Sequence, residues 1–124
     1  MTIEFDASVK INGNTLKENL KDASLVSSYA KFTIDRDGFH IESTGDKGEL
    51  RIETRKDQDV LLDHPLNVET QAVFLLDYLN DMVKTADAST IVSLHMKKDA
   101  PIKLEYNIGE ATVAYFLAPR IENP

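Results

Sequence analysis

Apolar and polar side chains alternate from Ile3 to Val9, the period-two pattern of a half-buried strand. Asn12-Gly13-Asn14 breaks it, and Thr15 followed three residues later by Glu18 reads as a capping box that opens a helix. Leu16, Leu20 and Ala23 then recur at helical spacing, so one stripe of this helix faces a core. Three short strands are expected next, over 31–34, 39–43 and 49–54, joined by turns at Asp37-Gly38 and from Gly45 to Gly48. Residues 57–63 read as a polar loop, which His64-Pro65 ends.

The plan then recurs. Residues 66–69 read as a strand, and 73–85 as a helix with Leu75, Leu79, Met82, Val83 and Ala86 on one stripe. Three more strands are expected over 90–96, 102–107 and 112–117, and the turn at Gly109 matches the one near Gly48. Each half therefore reads strand, helix, three strands, in approximate units 2–56 and 65–119 of a single domain covering 1–124. The fold class expected is α+β: two βαβββ units related by a pseudo-twofold, with two helices side by side on one face of antiparallel sheets.

Such a layout leaves the last strand of each unit with a neighbour on one side only. Bare strand edges present unpaired N–H and C=O groups. In the first, Leu50 and Ile52 alternate with charged residues; in the second, around Val113 and Tyr115, both faces are apolar. Neither edge carries a proline or an inward charge, so both are read as margins that pair with another domain.

Charge and composition narrow the chemistry. The formal net charge is −7, which excludes a grip on nucleic acid by a generally basic surface and leaves only a local patch on an acidic body. There is no cysteine, so disulfides, thiolate metal sites and cysteine nucleophiles are excluded. No stretch reaches the roughly 18 to 20 apolar residues of a membrane span, and no partner membrane is expected. A cytoplasmic location is the default.

Four segments carry a resemblance: "DASLVSS" (22–28), "LLDYLNDMVK" (75–84), "APIKLEYNI" (100–108) and above all "YFLAPRIE" (115–122). In order and spacing they resemble the C-terminal domain of archaeal sliding clamps of the proliferating cell nuclear antigen (PCNA) family. The usual subunit of that family carries two such domains joined by a connector, and three subunits close a ring. This sequence resembles the second domain alone, and is read as that domain by itself or as a half-length clamp that six copies would close.

The resemblance implies a DNA sliding clamp, a processivity factor with no enzymatic activity and no cofactor. Its partners would be double-stranded DNA, held without sequence preference, replication and repair proteins bearing a PCNA-interacting peptide, and the clamp loader. It places Lys17, Lys21 and Lys84 on the wall facing DNA, since lysines hold phosphates without reading bases. Pro101, Phe116, Leu117, Ala118, Pro119 and Arg120 would form one side of the client-peptide groove, with backbone groups of 118–121 open to strand addition. Leu50, Ile52, Val113 and Tyr115 would lie at the inter-domain edges, where self-association through the sheets is expected. Because the family's connector supplies the opposite wall of the groove, weak peptide binding or none is expected of this chain alone.

Other chemistries fit less well. The histidines His40, His64 and His95 show no metal-ligand spacing, and the acid pairs Asp35/Asp37 and Asp57/Asp59 read as turn and loop residues. The alternatives are a small hot-dog-type hydrolase, which needs one central helix, and an interaction domain that never forms a ring.

Overall fold

A computed structural model describes residues 4–55, 60–62 and 69–120. Strand β1 (Ala7–Asn12) passes directly into helix α1 (Gly13–Ser24), followed by β2 (Tyr29–Asp35), β3 (Gly38–Gly45), β4 (Gly48–Arg55) and the short β5 (Val60–Leu62). The second half repeats all of this but β5: β6 (Thr70–Leu75) runs straight into α2 (Leu76–Met82), then β7 (Ile91–Met96), β8 (Ile102–Ile108) and β9 (Ala111–Leu117).

Pairing is antiparallel throughout, in one sheet of order β5-β1-β7-β8-β9 and another of order β4-β3-β2-β6. Each half thus gives its first strand to the other half's sheet: β1 pairs with β7, and β6 with β2. The two halves share further details. The first helical amide of α1, at Gly13, donates to the carbonyl of Thr90 just before β7 (2.8 Å). The first of α2, at Leu76, donates to that of Ser28 just before β2 (2.9 Å). At the other helix ends, the Ser43 hydroxyl on β3 donates to Ala23 O (3.0 Å), and the Tyr106 hydroxyl on β8 donates to Met82 O (2.7 Å). These matched contacts are the expected pseudo-twofold in atomic form.

The core lies between the helices and the sheets. Leu16, Leu20 and Ala23 from α1, and Leu76, Leu79 and Val83 from α2 and its end, meet Val9, Ile11, Phe32, Ile41, Phe74, Leu94 and Leu104 from the strands, all essentially inaccessible to solvent. At about 25 cal/mol per Å² of apolar surface, this shared layer is what fixes both helices on one side of the sheets.

Several boundaries depart from the sequence reading, among them the end of α2, expected at residue 85 and found at Met82. The first strand is expected over 3–9 but occupies Ala7–Asn12, with Ala7, Val9 and Ile11 turned inward. Its Asn12 is the cap of α1: the side-chain oxygen accepts from the amides of Asn14 (2.9 Å) and Thr15 (3.3 Å), in place of the expected Thr15/Glu18 box. The expected loop 57–63 contains β5, which pairs with β1. The helix expected from residue 73 starts at Leu76, because Thr70–Leu75 is a strand whose Ala72 and Phe74 point into the core. Of the strand expected at 66–69, residues 66–68 lie outside the described residues.

Candidate nucleic-acid and partner interfaces

The helices run antiparallel, linked by Asn80 Nδ2 donating to Ser24 Oγ (2.9 Å) near one end and by Lys17 reaching the chain that leaves α2 at the other. Between them lies a shallow groove of about 330 Å³ whose lining includes Lys17, Lys21 and Lys84. The structure thus brings together all three cations read from the sequence. Their situations differ. The Lys17 ammonium donates to the carbonyls of Lys84 (3.3 Å) and Ala86 (3.0 Å), so it caps the chain leaving α2. Lys84 lies 3.6 Å from Asp81, both side chains largely exposed. Lys21 has no ion-pair or hydrogen-bond partner among the described residues. Carboxylates on the same two helices (Glu18, Asp22, Asp77 and Asp81) offset these cations. The wall therefore offers few uncommitted positive charges, suited to weak, non-specific contact with a polyanion.

The last strands of the two expected units, β4 and β9, lie at sheet edges as expected, and β5 and β6 form the opposite edges. Among the described residues β4 has only β3 beside it, and β9 only β8. Leu50 and Ile52 on β4, and Val113, Tyr115 and Leu117 on β9, turn toward the core yet remain half-exposed. A strand added to either edge would satisfy bare backbone groups and extend the apolar layer together. On the outer face of β4, Arg51 donates to Glu42 on β3 (2.7 Å) and to Glu53 (2.8 Å), and the second bond holds the Glu53 carboxyl below its ordinary value.

At the groove expected near the C-terminus, strand alternation separates two of its residues. Phe116 projects outward, 57% exposed, with the Lys103 ammonium 5.8 Å from its ring, whereas Leu117 packs inward against the core. Pro101 and Pro119 are half-buried and Ala118 is exposed. Arg120 commits its amide to Val73 O (2.7 Å) and stacks its guanidinium on Tyr29, 4.2 Å from the ring centre. Sequence reading misses Tyr29 and Asn80 because each gains its role only through strands and helices distant in sequence; aligning the two halves points to neither.

The residues considered for catalysis have structural occupations. Asp35 accepts from the amides of Asp37 (2.9 Å) and Gly38 (3.2 Å) and from buried His40, whose Nε2 lies 3.0 Å from both carboxylate oxygens. Burial works to raise the Asp35 carboxyl, but these bonds together outweigh it and hold the group below its ordinary value. His95 Nδ1 meets the Ser8 hydroxyl at 2.7 Å. His64, Asp57 and Asp59 lie outside the described residues, and among those described no three ligating side chains converge on a metal position.

The Asp35 clamp has a measurable consequence. Its lowered carboxyl contributes stability that is complete above the unfolded value of about 3.9 and is lost as pH falls through the folded one. Urea midpoints of the wild type are expected to fall below about pH 4 more steeply than those of Asp35→Asn, with Asp35→Asn the weaker at pH 7. Parallel pH curves would show that the clamp carries no charge-dependent stability.

Residues 1–121 match the family described as proliferating cell nuclear antigen, C-terminal domain. The chain belongs to this family. It is 34% identical over 123 residues to a DNA polymerase sliding clamp of Methanococcoides burtonii, covering 98% of this chain and 49% of that protein. It is 36% identical over 121 residues to one of Thermococcus gammatolerans, covering 97% and 49%. Among solved structures it is similar to a chain from a complex described as the C-terminal region of FEN-1 bound to A. fulgidus PCNA, with a TM-score of 0.90 and 27% identity over 100% of this chain and 50% of that one. PCNA from Thermococcus kodakaraensis shares the fold at a TM-score of 0.88, with 22% identity over 97% of this chain and 50% of the other. The chain spans about half the length of the curated relatives it matches. The fold expected from the resemblance is thereby shown to be that of a PCNA domain, and two equivalent helices in place of one central helix count against the hot-dog reading.

Proposed function

We propose that this chain is a domain of a DNA sliding clamp, acting by encirclement and by docking clients, without catalysis. The observation that carries this is the placement of two helices on one wall with bare strands β4 and β9 at the ends of the two sheets. Pairing β4 of one clamp domain with β9 of the next is a head-to-tail contact, and repetition with the right rotation closes a ring whose helices face inward. Duplex DNA would pass along the inter-helix grooves, many weak lysine contacts adding up while each stays loose enough to slide. The outward Phe116 with Ala118, Pro119 and Pro101 offers an apolar surface to a client peptide of the PCNA-interacting type, and the relative solved with a FEN-1 segment supports that use. Replication and repair proteins and the clamp loader are the expected clients, placing the protein with DNA in the cytoplasm.

The test is topological. On a nicked circular duplex the assembled protein is expected to be retained through gel filtration, and one double-strand cut should release it. Equal retention on circle and linear DNA overturns encirclement, and retention on neither leaves an interaction domain that forms no ring. In the same assay Lys21→Ala is expected to lower the slope of log affinity against log salt by about 0.9 for each phosphate left without its lysine. Lys17→Ala should change that slope less and instead cost about 1 kcal/mol of stability, since its ammonium holds two carbonyls. Equal slopes for the two variants would refute this division of labour.

A further inference from the structure

The chain leaving β9 crosses from one sheet to the other. Leu117 is the last residue paired with β8, opposite Ile102, and three residues later the amide of Arg120 donates to Val73 on β6. Val73 is the third residue from the end of β6, as Lys10 is the third from the end of β1. Lys10 faces Leu61 of β5. The tail at Arg120 thus fills, beside β6, the slot that β5 fills beside β1, but among the described residues with a lone backbone bond in place of a paired strand. Pro119 can donate nothing to strengthen it. A side chain adds the second anchor: the Arg120 guanidinium lies 4.2 Å from the centre of the Tyr29 ring, beside a cleft of about 340 Å³ that both residues line with Lys31, Glu42 and Val73.

We infer that Arg120 is a positioning residue. Stacked on Tyr29, it latches the tail across the two sheets, so that Phe116, Ala118 and Pro119 meet a client peptide already in place. This rests on the client-groove reading above and adds to it that Arg120 acts through Tyr29 and need not touch the peptide. A planar guanidinium on an aromatic face suits the task, because it orders the tail before binding and spares the peptide that cost.

The experiment follows Arg120→Ala, Arg120→Lys, Tyr29→Leu and the double variant Arg120→Ala/Tyr29→Leu. It uses NMR titration with a synthetic peptide of the PCNA-interacting type, and hydrogen exchange at the backbone amide of position 120. Arg120→Ala and Tyr29→Leu should each weaken binding about two- to fivefold, the range of an exposed cation–π contact. The double variant should be no weaker than either, Arg120→Lys should recover part of the loss, and the amide should exchange faster in Tyr29→Leu. If Tyr29→Leu changes neither affinity nor exchange while Arg120→Ala weakens binding, Arg120 touches the peptide directly and the latch is overturned. If the wild type binds no peptide, the groove needs its opposite wall to hold one, and the latch stands or falls on exchange alone: faster in Tyr29→Leu sustains it, unchanged rejects it.

Discussion

Replacing Phe32 with alanine is expected to destabilise the protein by about 3–5 kcal/mol, the range for emptying a fully buried aromatic site. Phe32 sits on β2 with no accessible surface, and its ring meets Phe39 edge-on at 5.4 Å and Phe74 at 5.5 Å. Those partners come from β3 and from β6, the strand lent by the other half, so the cavity would open where the two repeats are stitched together. The neighbours are strand side chains fixed by backbone ladders, which limits collapse into the void. A loss of that size is a large part of the roughly 5–15 kcal/mol that holds an ordinary domain folded. Phe116→Ala is the contrast: its ring is mostly exposed, so stability should change by less than about 1 kcal/mol while client binding falls. Urea midpoints of the two variants decide it, and a similar cost for both would mean that Phe116 is a core residue and no docking surface.

That contrast shows what a sequence can and cannot reveal. The amphipathic stripe of α1 is legible because Leu16, Leu20 and Ala23 follow one period and all three are buried. The start of α2 is not, because two periods overlap without a polar break. Ala72 and Phe74 belong to a strand, Leu76 and Leu79 to a helix, and Leu75 caps the helix with an extended backbone and no side-chain bond. Residues 57–63 read as a loop by their acids, although the Val60–Leu62 backbone pairs with β1. The exchange of β1 and β6 between sheets leaves no local trace, since a strand's pattern records which face is buried and not which strand lies beside it. The same holds for the sites. The resemblance singles out Lys17, Lys21 and Lys84 as a group, but only the geometry separates Lys17, spent on carbonyls, from Lys21. The resemblance puts Phe116 and Leu117 in one wall, and the pleat sends them to opposite faces.

The second large effect is expected from a single methyl group at Gly45, the last residue of β3. A Cβ there would overlap the carbonyl oxygen of Val26 and lie 3.1 Å from its carbon, so backbone must move. The obstructing segment has little freedom. Val26 and Ser27 donate to Ala23 O at 3.1 and 3.2 Å, Ser43 bonds Ala23 O and Tyr29 O, and Ser28 O receives the first amide of α2. Gly45→Ala must therefore spread the β3–β4 hairpin from the end of α1 or break that set of bonds, and is expected to cost about 3 kcal/mol, the upper end for overpacking. Gly48, its partner across the same hairpin, has open space around its Cβ position, so Gly48→Ala should stay within about 0.5 kcal/mol of wild type. The pair matters for the proposed function because the hairpin ends in β4, one of the two edge strands that the clamp reading joins. On the clamp reading proposed above, if Gly45→Ala tilts the hairpin, β4–β9 assembly should fail at protein concentrations where Gly48→Ala still assembles, even under conditions where both are fully folded. Matching urea midpoints for the two variants would refute the steric account, and matching assembly would refute the link from this hairpin to the β4 edge.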